Sequence, residues 1–193
     1  MQTVKDHRQH LIPTLSPISE LMNDTRCDLL LSVFPTSLGW FGLLGDGQSV
    51  HQVEIGHDSA ASLRHRVANR SARESDWDPE LRARMEDFAA GERIDFDDVA
   101  LVLPPMTTFR FQVMNLVRGI GYGQTASYGE VAKRIGRARA ARAVGSVMAN
   151  NPVPILVPCH RVLAASGRLG GFSAPQGTRL KKRLLHLEAN AAN

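Results

Sequence analysis

The sequence predicts a small α/β domain at the N-terminus, followed by a mainly helical domain at the C-terminus. Short apolar runs bounded by turn residues, typical of strands, cluster in the first half of the 193-residue chain. Helical periodicity with helix-start signals dominates the second half. The two patterns meet at Leu103-Pro104-Pro105-Met106, which is a short linker signal. We therefore predict an N-terminal domain of residues 1–103 and a C-terminal domain of residues 104–193.

The N-terminal domain is predicted to contain a small antiparallel sheet with helices. The predicted strands are Leu29–Pro35, Gly39–Leu44 and Ser49–Ile55. Gly45, Asp46 and Gly47 form a turn signal between the last two strands that is typical of a hairpin. The predicted helices run from about Ala60 to Asn69 and from Pro79 to about Ala90. The histidines of this domain lack the tight spacing of a metal site.

Charge divides the chain near the same boundary. Residues 1–100 carry 10 Lys and Arg against 17 Asp and Glu, a net of −7, whereas residues 101–193 carry 13 against 2, a net of +11. A half this basic favours a polyanionic partner such as nucleic acid, and a solvated basic surface is the alternative. The sequence has no apolar run that could span a bilayer and no apolar secretory core at its start. We expect a cytoplasmic protein, or a nuclear one in a eukaryote, with no membrane partner.

The C-terminal domain is predicted to be built from helices. These are Thr108–Arg118, Tyr128–Ile135, about Ala138–Ala149 and a last helix that carries Glu188. Ser127 and Glu130 form a capping box at the start of the second helix. Because a tight turn joins the second and third helices, this pair is typical of a helix-turn-helix.

The third of these predicted helices has a narrow and positively charged surface. Its small residues include Ala141, Ala143 and Gly145. Arg137, Arg139 and Arg142 add positive charge that suits phosphate groups. A helix this slim fits a minor groove, which most recognition helices cannot enter. The alternative is that the small residues allow two helices of the protein to pack closely.

A proline-rich segment, NPVPILVPCHRV at residues 151–162, carries the most reactive residues of the chain. Three prolines restrict its backbone, so Cys159 and His160 are held firmly. Neighbouring side chains of an extended segment point to opposite faces, so His160 reaches the sulfur only through a bend or a bridging water. A thiol needs a base, and the base needs an orienting acceptor, for which Glu188 is the remaining acid of the basic half. The hypothesis is a Cys159–His160–Glu188 relay, and the alternative is a buried structural cysteine beside a surface histidine.

This segment, together with RAVG upstream and LLHLE near the end, closely resembles the O6-alkylguanine-DNA alkyltransferase family, also called methylated-DNA–protein-cysteine methyltransferases. The resemblance extends from about Thr108 to Glu188. It implies a ribonuclease-H-like N-terminal domain and a winged helix-turn-helix in the C-terminal domain. It also implies a monomer that needs no cofactor and repairs duplex DNA containing alkylated guanine. Some relatives bind zinc in the N-terminal domain, but Cys27 is the only cysteine available there, so no metal is expected.

The resemblance assigns catalytic roles to five residues. Cys159 would attack the alkyl carbon on guanine O6 and keep it as a stable thioether. His160 would take the thiol proton through a water, and Glu188 would steady the histidine. Asn151 would tie its helix to the active-site strand. Tyr128 would help to rotate the DNA phosphate and would protonate the leaving guanine.

The resemblance also assigns residues that contact DNA and the base. Base flipping is required because O6 is inaccessible in a stacked duplex, and Arg142 would fill the gap that the base leaves. The expected DNA contacts are Ser127, Tyr128, Arg137, Arg139, Ala141, Arg142, Ala143 and Gly145. The expected pocket residues are Met148, Val162, Phe172 and Ser173. Phe172 occupies a position at which tyrosine is commoner in the family, so the resemblance leaves open which alkyl groups the protein accepts.

Three function classes remain open from the sequence. The first is a self-inactivating alkyltransferase. The second is a module that binds lesions or regulates DNA without turnover. The third is a cysteine hydrolase that uses Cys159 and His160.

Overall fold

The computed structural model describes residues 29–190, and a four-stranded sheet forms the N-terminal part of this range. Its strands are β1 (Leu29–Thr36), β2 (Gly39–Gly45), β3 (Val50–His57) and β4 (Ala72–Glu74). The strand order is β3-β2-β1-β4. The β1–β2 and β2–β3 pairs are antiparallel, as predicted for this sheet, and the turn signal at residues 45–47 lies between β2 and β3. Each of these three strands begins within one residue of its predicted start.

The expectation of a wholly antiparallel sheet is wrong at one edge. Strand β4 pairs with β1 in parallel, with Ala72 opposite Leu29 and Glu74 opposite Leu31. A parallel pair needs a crossover connection, and helix α1 (Ala60–Val67) provides it by packing on β1, β2 and β3. Strand β4 is only three residues long and largely polar, so it carries no recognisable strand pattern.

The helices of this part agree closely with the sequence prediction. Helix α1 ends two residues before Asn69, because a 3₁₀ turn takes over at 68–70. Helix α2 (Pro79–Ala90) has its predicted bounds. The Asp78 side chain caps its first turn by accepting from the Leu81 amide, and Gly91 ends it with a φ of 108°, a conformation that favours glycine.

The C-terminal part is helical, as predicted. Its helices are α3 (Thr108–Arg118), α4 (Tyr128–Arg134), α5 (Ala141–Ala149) and α6 (Thr178–Asn190). The capping box of Ser127 and Glu130 opens α4, as predicted. Two short parallel strands, β5 (Ala126–Ser127) and β6 (Val162–Leu163), join the start of α4 to the proline-rich segment.

Helix α5 begins three residues later than predicted. Residues 137–140 form a turn closed by the Ala140 amide donating to the Arg137 carbonyl at 2.7 Å. Ala140 has no oxygen in its side chain and gives the helix no side-chain cap. Arg137 and Arg139 therefore lie in the turn between α4 and α5, and only Arg142 of the three arginines lies on the helix.

The proline-rich segment is not extended, so the prediction of an active-site strand is wrong. The Val157 amide turns back to the Val153 carbonyl at 2.9 Å, and Ile155 has a φ of 75°. Cys159, His160 and Arg161 then form one 3₁₀ turn. Alternate prolines remove backbone donors, which favours turns over a hydrogen-bonded strand. The turn supplies the bend that sequence reasoning required between the cysteine and the histidine.

One hydrophobic cluster runs through both parts of the described chain. It joins Phe41 and Met85 of the N-terminal part to Met114 and Leu184 of the C-terminal part. The Val53 amide of β3 also donates to the Pro152 carbonyl at 2.8 Å, so the sheet supports the proline-rich segment directly. A boundary at residues 103/104 stays a prediction. In the range 29–190, no helix is both long and apolar enough to cross a membrane.

Arg118, at the end of α3, fixes the connection between the two parts. Its side chain is 3% exposed. Its Nη2 donates to the backbone carbonyls of Phe96 at 3.5 Å, Asp97 at 3.0 Å and Val99 at 2.7 Å. Burial lowers the pKa of the guanidinium, against the nearby carboxylates of Asp97 and Asp98. The segment at residues 96–99, which belongs to the connection between the two parts, is thus anchored through its backbone carbonyls.

We expect Arg118→Leu to lower the free energy of unfolding by about 3 kcal/mol, because it leaves buried carbonyls without a donor. Urea denaturation followed by circular dichroism measures the change. Arg134→Leu, at an exposed position on α4, is the matched control and should cost less than about 0.5 kcal/mol. Equal losses in the two variants would contradict the anchoring role.

Candidate active site

Cys159 lies at the wall of a cavity of about 650 Å³. Its side chain is 5% exposed, and it is the first residue of the 3₁₀ turn that follows Pro158. The predicted site residues that line this cavity with it are Ser127, Tyr128, Ala141, Arg142, Gly145, Met148, Phe172 and Ser173. The cavity therefore connects the first residues of α4, one face of α5 and the loop before α6 to a single thiol.

The remaining predicted residues lie outside this cavity lining. Val162 is fully buried, and its carbonyl accepts a hydrogen bond from Lys181 Nζ at 2.6 Å. Ala143 is exposed on α5, and Arg137 and Arg139 are exposed in the preceding turn. These exposed positions form a surface beside the cavity mouth, since Ala141 and Arg142 of the same stretch line it.

Asn151 connects the end of α5 to the turn that carries the cysteine. Its Nδ2 donates to the Val157 carbonyl at 2.7 Å, and its Oδ1 accepts from the Val153 amide at 3.1 Å. The amide of Asn151 also lowers the pKa of the Cys159 thiol, against the larger opposite effect of burial. One amide group thus braces the turn at two backbone positions.

His160 is fully buried, which contradicts the alternative of a surface histidine. Its Nε2 lies 2.7 Å from Glu188 Oε1 on α6. Burial lowers the pKa of the imidazole and outweighs the opposing effect of Glu188, so the ring is neutral at pH 7. A carboxylate can only accept, so the hydrogen-bond network assigns the ring proton to Nε2. Nδ1 is then the basic nitrogen, and it is buried without a hydrogen-bond partner among the described residues.

Glu188 is held by more groups than the sequence predicts. Arg161 Nη2 donates to Oε1 at 2.9 Å, Arg161 Nε lies 3.1 Å from both oxygens, and the Gly123 amide donates to Oε2 at 3.1 Å. Burial raises the pKa of the Glu188 carboxyl, but the hydrogen bonds from His160 and Arg161 outweigh burial and bring it to about 2. Glu188 is therefore a permanent anion near neutral pH. Sequence reasoning missed Arg161, although it lies directly after the histidine.

Lys181 is a second buried charge that sequence reasoning missed. It is fully buried on α6, and its Nζ lies 5.8 Å from the centroid of the Tyr128 ring. Burial lowers its pKa to about 8, against the opposing effect of the Cys159 thiolate. The available signal was its spacing, because Lys181 and Glu188 are seven residues apart and so share one helix face with Leu184.

The thiol and the tyrosine both keep their protons in the resting site. Burial raises the pKa of Cys159, against the hydrogen bond from Asn151 and the charge of Lys181. Burial raises the pKa of Tyr128, and a negative charge on Cys159, once the thiol ionises, raises it further. Gly170, with a φ of 67°, allows the covering loop to approach Tyr128, since a Cβ there would lie 2.9 Å from the hydroxyl oxygen. The cavity wall thus carries a nucleophile and an O–H donor, and the base, His160, is the buried residue next to that nucleophile in the chain.

The described residues include no group of three or more His, Cys, Asp or Glu side chains that could hold a metal ion. Cys27, the only cysteine of the predicted N-terminal domain, lies outside the described range.

Comparison with known proteins matches this chain to one family. The family model described as "6-O-methylguanine DNA methyltransferase, DNA binding domain" matches residues 108–190. A methylated-DNA–protein-cysteine methyltransferase of Methanosarcina acetivorans is 34% identical over 159 residues, which are 82% of this chain and 97% of that protein. This chain belongs to the methylated-DNA–protein-cysteine methyltransferase family. The resemblance stated from the sequence is thereby confirmed.

Solved structures of the family agree with the fold. The Mycobacterium tuberculosis OGT in complex with DNA superimposes with a TM-score of 0.72 and 32% identity, covering 84% of this chain and 94% of that one. The O6-methylguanine-DNA methyltransferase from Pyrococcus kodakaraensis gives a TM-score of 0.64 and 26% identity, covering 82% and 98%. The family likeness therefore extends into the N-terminal part, beyond the range from Thr108 to Glu188 in which the sequence motifs lie.

We expect Glu188→Gln to destabilise the protein by about 3 kcal/mol at pH 7, with the difference disappearing in acid. The folded-state pKa of Glu188 is about 2, below its ordinary 4.5, so its stabilising effect is complete above pH 4.5 and lost as the pH falls towards 2. Denaturant unfolding of both proteins at several pH values between 2 and 7 measures this.

The exposed Glu130 of the capping box provides the matched control for this measurement. Glu130→Gln should change stability far less at every pH. A difference between wild type and Glu188→Gln that stays constant from pH 7 to pH 2 would contradict the anionic, ion-paired state of Glu188.

Proposed function

We propose that this chain repairs alkylated guanine in duplex DNA by moving the alkyl group from O6 to Cys159, once per protein molecule. The reaction class, DNA repair by alkyl transfer to a protein cysteine, is that of the family to which the chain belongs. The observation that supports the residue assignment is the cavity that Cys159 shares with Tyr128 and Arg142. Among the described residues, Cys159 is the only cysteine, so no second thiol there competes for the alkyl group.

Proton transfer begins at the thiol. The Cys159 proton passes through a water to Nδ1 of His160, the basic nitrogen of a neutral ring. Glu188 stabilises the resulting imidazolium at 2.7 Å, and Arg161 keeps that carboxylate ionised. Asn151 holds the turn, so that the sulfur stays in one position.

Alkyl transfer follows as an in-line displacement. The thiolate sulfur forms a bond to the alkyl carbon, the bond from that carbon to O6 breaks, and its electron pair stays on the guanine. Tyr128 donates its proton to the leaving base, which its raised pKa permits because the hydroxyl is protonated at neutral pH. Lys181 favours the thiolate through its charge. The thioether has no group to release it, so each molecule reacts once.

DNA binding uses the surface around the cavity mouth. Arg142 fills the gap left by the flipped base, and its position on both the exposed surface and the cavity wall suits that role. Arg137 and Arg139 contact phosphates with Ser127. The small residues Ala141, Ala143 and Gly145 let α5 lie in the minor groove.

The base itself is held by the cavity wall. Met148 and Phe172 provide apolar contact, the Ser173 amide donates to O6, and the carbonyls of Cys159 and Val162 accept from the guanine amine. The Val162 carbonyl also accepts from Lys181, and a carbonyl oxygen has two lone pairs to serve both.

The finer features of the fold belong to the same proposal. The pair α4–α5 with strands β5 and β6 would be a winged helix-turn-helix, and the N-terminal sheet with its helices would be ribonuclease-H-like. Residues 1–103 and 104–193 would be its two domains, and the protein would act as a monomer. We place it in the cytoplasm, or the nucleus of a eukaryote, because Cys159 must remain reduced to react.

Transfer of a labelled methyl group from O6-methylguanine in duplex DNA tests this function. We expect one label per protein molecule and none with Cys159→Ser, whereas Cys27→Ser should react like the wild type. Tight binding of the lesion without transfer would favour a lesion-binding module. Repeated cleavage of an ester or peptide would favour a cysteine hydrolase.

Arg142→Ala should slow repair of duplex DNA at least tenfold while leaving the reaction with free O6-benzylguanine within about twofold, since only the duplex requires base flipping. Single-turnover rates on the two substrates measure this. Arg139→Ala, the control in the preceding turn, should weaken DNA binding in a salt-dependent way without a comparable loss at saturating DNA. Equal losses of Arg142→Ala on both substrates would contradict the role of a flipping residue.

A further inference from the structure

The loop before α6 forms one wall of the cavity that contains Cys159, here called the base cavity. Gly171, Phe172 and Ser173 of this loop line it. Residues 169–173 form no hydrogen bond with any other residue in the described range 29–190. Phe172 packs against the hydrophobic cluster, but glycines at 170 and 171 give the backbone additional freedom. The position of this wall therefore depends on how the two ends of the loop are held.

The two ends of the loop are held in different ways. At the first end, the Ala164 amide donates to the Arg168 carbonyl at 2.7 Å, and both residues belong to the C-terminal part. The second end is a turn at residues 174–177, which the Gly177 amide closes by donating to the Ala174 carbonyl at 2.7 Å. Helix α6 begins directly after this turn. What holds the turn therefore holds both the loop and the start of the helix.

Gln176 attaches this turn to the N-terminal sheet. Its Nε2 donates to the Leu38 carbonyl, between β1 and β2, at 2.9 Å and to the Gly56 carbonyl of β3 at 3.0 Å. Because both acceptors are carbonyls, the network assigns the nitrogen to this end of the amide. Arg183 of α6 donates to the Gln176 Oε1 at 3.4 Å and to the Ser37 carbonyl at 2.7 Å. The side-chain amide of Gln176 thus uses both of its donors on the sheet.

Two glycines allow the Gln176 side chain to approach the sheet this closely. Gly39 has a φ of 111° and Gly56 has a φ of 71°, conformations that favour glycine. A Cβ at Gly39 would lie 3.2 Å from the Gln176 Nε2, and a Cβ at Gly56 would lie 3.3 Å from it. The sheet therefore provides space for this amide as well as its two acceptors.

We propose that Gln176 is a positioning residue for alkyl transfer. By joining the loop to the N-terminal sheet, it fixes the wall of Phe172 and Ser173 against which the flipped base lies. This inference rests on the proposed function, because it concerns the base that gives up the alkyl group. The N-terminal part thereby acts on the base cavity, although none of the residues that line this cavity belongs to that part.

A loosely held wall would slow the transfer without changing the nucleophile. Only those molecules in which the wall holds the base in the geometry of attack can react. The thiol has supports of its own, because His160 and Arg161 hold Glu188. The Asn151 side chain also braces the turn of the cysteine. Loss of the Gln176 contacts should therefore affect the base far more than the thiol.

The test compares two reactions of the same thiol, in a Cys27→Ser background so that Cys159 alone reacts. Methyl transfer from O6-methylguanine in duplex DNA needs the base cavity, whereas alkylation by iodoacetamide needs only the thiol. Gln176→Met keeps a side chain of similar length and removes both donors. At saturating DNA we expect it to slow single-turnover methyl transfer about tenfold. The iodoacetamide rate and the affinity for undamaged duplex should stay within about twofold of wild type.

Two further variants serve as control and as second test. Gln112→Met, the same substitution at an exposed position of α3 that does not line the base cavity, should behave as wild type. Gln176→Asn keeps an amide that is one methylene shorter and cannot reach both carbonyls, so it should show a smaller loss in the same direction. Circular dichroism confirms that each variant is folded.

The ratio of the methyl-transfer rate to the iodoacetamide rate decides the outcome. An unchanged ratio in Gln176→Met and Gln176→Asn would overturn the inference. A fall of both rates by the same factor would overturn it as well, since the effect would then lie at the thiol.

The wild-type protein separates this inference from the function on which it rests. If wild type takes the methyl group and the Gln176 variants keep its ratio, the positioning role alone is overturned. If wild type takes no methyl group although iodoacetamide alkylates Cys159, the proposed function is overturned together with it.

Discussion

The buried carboxylate of Glu188 is the contact on which the reactive part of this protein depends. It accepts from His160, from Arg161 and from the Gly123 amide, so it joins α6, the 3₁₀ turn of the cysteine and the loop after α3 at one point. Burying a carboxylate is costly unless it is paired, and here two side chains and one amide pair it. The same contacts that keep it ionised also fix the ring of His160. The stability of this region and the orientation of the His160 ring thus depend on the same contacts.

The sequence predicts those elements whose signals are local. Helix α2 is bounded by Asp78 and Gly91, and α4 by a capping box, so their limits follow from a few neighbouring residues. The first three strands follow from apolar runs and a hairpin turn. Strand β4 could not be predicted in the same way, because three mostly polar residues become a strand only by pairing with β1. The start of α5 was missed for a related reason, since no side chain marks it.

The same distinction between local signals and long-range packing applies to the residues of the candidate site. Cys159, His160 and Glu188 were found because a rare motif and a lone acid left few choices. The number of groups around Glu188 was missed, because Arg161 resembles any other basic residue until the fold turns it inward. Lys181 was hidden in a run of basic residues on α6, and only burial separates it from Lys182 and Arg183. Long-range packing, which local patterns do not encode, determines which charge of such a run becomes part of a site.

The hydrophobic cluster shared by the two parts limits how this protein can evolve. Phe88 of α2 contacts the rings of Tyr122 and His160, so residues of the acidic part lie directly behind the reactive turn. An N-terminal part taken from another relative would present a different surface to that turn and leave gaps or clashes there. We therefore expect that exchange of either part alone would require compensating substitutions at this contact.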